Sequence, residues 1–77
     1  MKRARICFKS IEKVREFIKI VSELDCDLDL SMGRKVIDGK SIMGILSLDI
    51  TQVMDLNINT KNDSEYILKA LDEFIVS

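Results

Sequence analysis

Seventy-seven residues, 8.8 kDa in all, leave room for one small core, so the chain reads as a single domain spanning 1–77. Its 47% apolar and 32% charged composition excludes disorder, and 12 basic against 13 acidic residues leave no field for nucleic acid or an anionic membrane. The chain contains no histidine, which excludes imidazole base catalysis, phosphohistidine chemistry and histidine-ligated metal together.

The first element is a strand. Ala4, Ile6 and Phe8 alternate with Arg5 and Cys7, the period of a half-buried strand. Lys2, Arg3 and Arg5 look like the start of a secretory signal, but the apolar stretch Ile6-Cys7-Phe8 stops at Lys9. The period then lengthens. Ile11, Val14, Phe17, Ile18, Val21 and Leu24 recur at three and four residues, which predicts an amphipathic helix from Ile11 to Leu24 capped by Ser10.

Alternation returns at Cys26, Leu28, Leu30 and Met32; Gly33 supplies a turn, and Lys35 to Asp38 form the return strand of a hairpin. A short helix over Ser41 to Leu48 follows Gly39. Met54, Leu56 and Ile58 mark a fourth strand. The capping-box pair Asn62 and Glu65 opens a closing helix through Ile67, Leu68, Leu71, Phe74 and Ile75. The order is β-α-β-β-α-β-α with every strand apolar on one side. It predicts a two-layer α/β (α+β) fold, one antiparallel sheet with its helices on a single face.

Little in this pattern carries catalysis. Asp25, Asp27 and Asp29 have the opening spacing of a calcium loop, but Leu30 and Val36 stand where that loop requires glycine and glutamate. The outer sheet face carries Arg3, Arg5, Asp27, Asp29, Lys35 and Asp55, a mixed-charge surface with cross-strand pairs. Gly33, Gly39 and Gly44 are too dispersed to cradle a phosphate. Cys7 and Cys26 fall on opposite sheet faces, where a bridge would be strained, so a reduced cytoplasmic protein is expected. No nucleophile has a recognisable base. The chain reads as a non-enzyme with no catalytic residue, no metal and no cofactor.

The segment from Gly39 to Leu48 is the exception. At 100° per residue its apolar side chains span about 220° of the helix surface, twice what a surface helix needs. If Ile45 and Leu48 face the sheet, then Ile42, Met43 and Leu46 must be partly exposed, as in a protein-binding patch. The plainer alternative is a short helix covered on both sides.

The same segment resembles a known family. Lys40-Ser41-Ile42-Met43-Gly44 followed by Ser47-Leu48 closely resembles the regulatory-serine region of HPr, the phosphocarrier of the bacterial sugar phosphotransferase system. Seven of the nine positions 40–48 match. Ser22 to Leu30 resembles the end of that family's first helix and its second strand, and Ala70-Leu71-Asp72-Glu73 its last helix. The resemblance implies a sheet of strand order 1-4-2-3 covered by three helices. It also implies phosphorylation of Ser41 by an HPr-type kinase, and partner docking through Ile42, Met43, Leu46 and Lys40.

One departure cuts the other way. The family's phosphate acceptor is a histidine at the start of the first helix, followed two residues later by arginine and then proline. Ser10, Glu12 and Lys13 fall at those places. A serine phosphate is a stable ester of lower transfer potential than a phosphorylated imidazole, and Glu12 would repel phosphate where the family offers a cation. The resemblance therefore implies a member without carrier activity. Variants lacking the histidine but keeping the serine act as regulators through a transcription factor in Gram-positive bacteria. The expected partner is a protein: a kinase, a transcriptional regulator or a phosphotransferase-system component. The alternative is a binding protein of the same fold, with an unrelated partner and Ser41 acting only as a helix N-cap.

Overall fold

The fold follows from where each strand can hide its apolar side. The computed structural model describes residues 2–60 and 65–76. Its elements are β1 (Lys2–Ile6), α1 (Ile11–Val21), β2 (Asp27–Met32), β3 (Lys35–Asp38), α2 (Ile42–Leu46), β4 (Met54–Asn59) and α3 (Glu65–Ala70). A 3₁₀ turn, Asp72–Phe74, follows. The strands form one antiparallel sheet ordered β1-β4-β2-β3. Ala4, Ile6, Leu28, Leu30, Met54, Leu56 and Ile58 all bury on one face. Val14, Phe17, Val21, Ile45, Ile67, Leu71 and Phe74 meet them from the helices. The four-stranded order and single helical layer agree with the expected α+β fold.

On the other face, polar side chains run across the strands. Arg3 Nε donates to Asn57 Oδ1 at 3.0 Å, and Asn57 Nδ2 donates to Asp29 Oδ1 at 2.7 Å. Arg5 stands 3.8 Å from Asp55 in an exposed pair. This is the mixed-charge face expected, with one correction. Lys35 pairs in register with Met32, not with Ser31, so it belongs to the helical side and Val36 takes the outer position. A hairpin register shifts every side chain by one face per residue, and the turn at Gly33 (φ +61°) sets it here.

Helix ends also differ from the expectation. α1 stops at Val21 instead of Leu24, because Glu23 and Leu24 donate to Ile20 and Val21, three residues back, and tighten the chain out of the helix. Ile11, expected on the buried stripe, is exposed at the first position of α1. The closing helix is broken after Ala70. Phe74 and Ile75 donate to Leu71 and Asp72, and the chain then straightens along the edge of β1, where Val76 donates to the Arg5 carbonyl at 2.8 Å. Asn62 of the expected capping box lies outside the described residues. Cys7 is half-buried just past β1, with Sγ 3.5 Å from the Thr51 carbonyl; Cys26 packs against the core, and both are free thiols. No helix among the described residues is long and apolar enough to cross a membrane.

Candidate functional site around Ser41

Three local features place Ser41. Gly39 ends β3 and donates to the Leu28 carbonyl at 2.9 Å. A Cβ on Gly39 would lie 3.1 Å from Leu28 Cβ, so a side chain there would have to push β2 back by a few tenths of an ångström. Ser41 then takes an extended conformation (φ −100°, ψ 105°) and its Oγ accepts from the Gly44 N–H at 3.2 Å. It is the N-cap of α2, as its position before the apolar run predicts. The helix it caps is shorter than expected, Ile42–Leu46, with Ser47 as its C-cap. Removing the cap by Ser41→Ala should cost about 0.5–2 kcal/mol in chemical denaturation.

The faces of α2 divide as its periodicity requires. Ile45 is fully buried and Leu48 nearly so, whereas Met43 is 77% exposed and Leu46 40% exposed. Ile42 is less exposed than expected, half-buried and packed against the core. The patch beside Ser41 is therefore chiefly Met43 and Leu46. Met43→Glu should change stability by no more than about 0.5 kcal/mol, whereas Leu48→Ala should cost about 2–5 kcal/mol as a core truncation. Equal losses in urea titrations of the two variants would contradict this division.

Lys40 is held from both ends. Its backbone N–H donates to Asp38 Oδ1 at 2.9 Å, and its ammonium donates to the Leu24 carbonyl at 2.8 Å. The cation beside Ser41 is thus tied to the turn leaving α1. Sequence reasoning missed this contact, because nothing local relates residues so far apart in the chain. It also missed the proximity of Gly44, where an added Cβ would lie 3.2 Å from Ser41 Oγ.

Ser10 lies elsewhere. It caps α1, with Oγ accepting from the Lys13 N–H at 3.3 Å, after a left-handed Lys9 (φ 71°) whose N–H donates to Ile50. Lys40 meets the turn after α1, at the end of that helix opposite to the one Ser10 caps. Ser10 and Ser41 cap different helices, and the hydrogen bond each hydroxyl accepts comes from its own helix. Beside Ser10, the Lys13 ammonium is claimed by Glu73 at 2.9 Å and Glu16 at 3.3 Å. Hydrogen bonding to Glu73, then to Glu16, raises its pKa above the ordinary lysine value. Past α2, Asp49 Oδ1 accepts from the Thr51 hydroxyl and N–H, which lowers its pKa. Among the described residues no group of three metal-ligating side chains converges.

Comparison with known proteins bears on the family and the fold. The PTS-HPr family model, described as the PTS HPr component phosphorylation site, matches residues 13–77. The crystal structure of HPr-C-His from Thermoanaerobacter tengcongensis is similar at a TM-score of 0.78 and 29% identity, over 95% of this chain and 89% of that one. The phosphocarrier protein HPr from Bacillus anthracis gives 0.71 and 26%, over 97% and 94%. Among curated proteins none matches.

Proposed function

The chain belongs to the HPr family, and from that premise we propose that it is a non-transferring member, a regulatory docking module that uses the Ser41 region. Proteins of this family carry phosphoryl groups between protein partners; they are not catalysts. A chain without histidine cannot carry one on imidazole. What it keeps is the other surface. The observation that carries the reading is the exposed Met43 directly beside a half-exposed serine hydroxyl at a helix N-terminus.

Modification there would change the surface without changing the scaffold. A phosphoserine brings nearly two negative charges to the end of α2 where free N–H groups point outward. Met43 and Leu46 then present an apolar patch with or without an anionic neighbour. A protein partner, either a transcriptional regulator or a phosphotransferase-system component, would distinguish the two forms, and an HPr-type kinase would interconvert them.

A second reading has its own support. Ser41 Oγ is already engaged by Gly44, and Lys40 by Leu24, as in a purely structural cap. On that reading the partner is unrelated to sugar transport. Treating the purified protein with a family kinase and ATP, followed by peptide mass spectrometry, separates the two. Phosphate on Ser41 supports the regulatory module; its absence, or a Ser41→Asp variant that melts α2, leaves the cap.

A further inference from the structure

We propose that Lys40 is a positioning residue that couples the state of Ser41 to the turn leaving α1, an inference that rests on reading Ser41 as a modified position. The contact is specific. The Lys40 ammonium reaches sixteen residues back along the chain to the Leu24 carbonyl, in a partly buried hydrogen bond. Leu24 closes the exit of α1 through its own N–H to Val21 at 3.1 Å, and Cys26 and β2 follow directly. The same lysine precedes Ser41. One side chain thus ties the cap of α2 to the C-terminal end of α1, where a cation also complements the helix dipole.

The present partner of that ammonium is a neutral carbonyl. A phosphate on the next residue would offer three anionic oxygens, and hydrogen bonds with both partners charged are the stronger kind. α2 itself, Ile42–Leu46, carries no charged residue that could take that role in place of Lys40. Phosphorylation of Ser41 therefore draws Lys40 off Leu24 and takes the cation away from the exit of α1. The modification is then read in two places: at the apolar patch, and at the turn before β2.

Cys26 is placed to report the second. Burial pushes its thiol pKa up, Lys40 pulls it down, and Asp27 and Asp25 push it up again. Without Lys40 only the raising influences remain. Since the thiolate is the reactive form, alkylation of Cys26 measures where the lysine is.

The test uses the full chain in a Cys7→Ser background, with phosphoserine installed genetically at position 41. Rates of Cys26 alkylation by iodoacetamide are followed against pH, with and without Lys40→Met, and circular dichroism confirms that each protein is folded. Should Lys40→Met not fold, Lys40→Gln takes its place. Phosphoserine is expected to slow alkylation near neutral pH severalfold, because the Cys26 pKa rises once Lys40 leaves, and leave the high-pH plateau unchanged. Lys40→Met should slow it similarly, and phosphoserine added to Lys40→Met should do nothing further. Equal slowing with and without Lys40, no slowing, or a change confined to the plateau would overturn the coupling. Because no kinase is involved, this result and the kinase assay on Ser41 can fail independently.

Discussion

Incubated with phosphoenolpyruvate and the general enzyme of the phosphotransferase system, this protein should remain unmodified. Three features of the α1 N-terminus lead to that outcome. No imidazole exists anywhere in the chain, and Ser10, which the sequence resemblance puts at the family's acceptor place, spends its oxygen on the Lys13 N–H. Glu12 stands exposed in the first turn, where an incoming phosphate would meet like charge. The nearest cation on α1, Lys13, is already paired with Glu73 and Glu16. Restoring the histidine alone, as Ser10→His, should recover little transfer, because the two carboxylates still hold Lys13 and Glu12 still repels. An acid-labile phosphorylated species from the unmodified sequence would sink the non-transferring reading, whatever Ser41 does.

The elements of this fold were legible wherever one residue's neighbours in sequence are its neighbours in space. The stripe Val14, Phe17 and Val21 marks α1, and the alternation Leu28, Leu30 marks β2, because local periodicity alone decides which side chains share a face. Ser41 could be placed as a cap for the same reason. What periodicity could not give was anything closed over a long loop. The edge pairing of Val76 with Arg5 pulls the chain out of its closing helix, although Leu71, Phe74 and Ile75 keep helical spacing. Lys35 changed faces because one residue of hairpin register reverses a strand. At the candidate site, the exposure of Met43 followed from too many apolar residues on too short a helix. The tie from Lys40 to Leu24 left no trace in sequence, since a lysine before a cap looks the same whether its ammonium is solvated or engaged.

Phe17→Ala should be among the most damaging single substitutions in the molecule. All three phenylalanines of the chain meet in one cluster, Phe8 from the segment after β1, Phe17 from α1 and Phe74 from the 3₁₀ turn. Their ring centroids are 5.0, 5.5 and 5.9 Å apart and every pair meets edge to face. Phe17 is central to the cluster in sequence, and it is fully buried. Truncating such a side chain costs about 3–5 kcal/mol, part transfer and part cavity. A domain of this size has about 4–12 kcal/mol of stability, so much of it would go. Urea unfolding should show the midpoint falling sharply with its slope little changed. The loss should include a coupling to Phe74 of about 0.5–1.5 kcal/mol in a double-mutant cycle, since the edge-to-face contact is lost with either ring. A cost below about 1 kcal/mol would mean the cluster is not what joins the two ends of the chain. That joint matters for the candidate site because it fixes α1, and the turn leaving α1 carries the Leu24 carbonyl that holds Lys40. Phe17→Ala should therefore disturb the Ser41 region from within, whereas Met43→Glu alters only the surface proposed for docking.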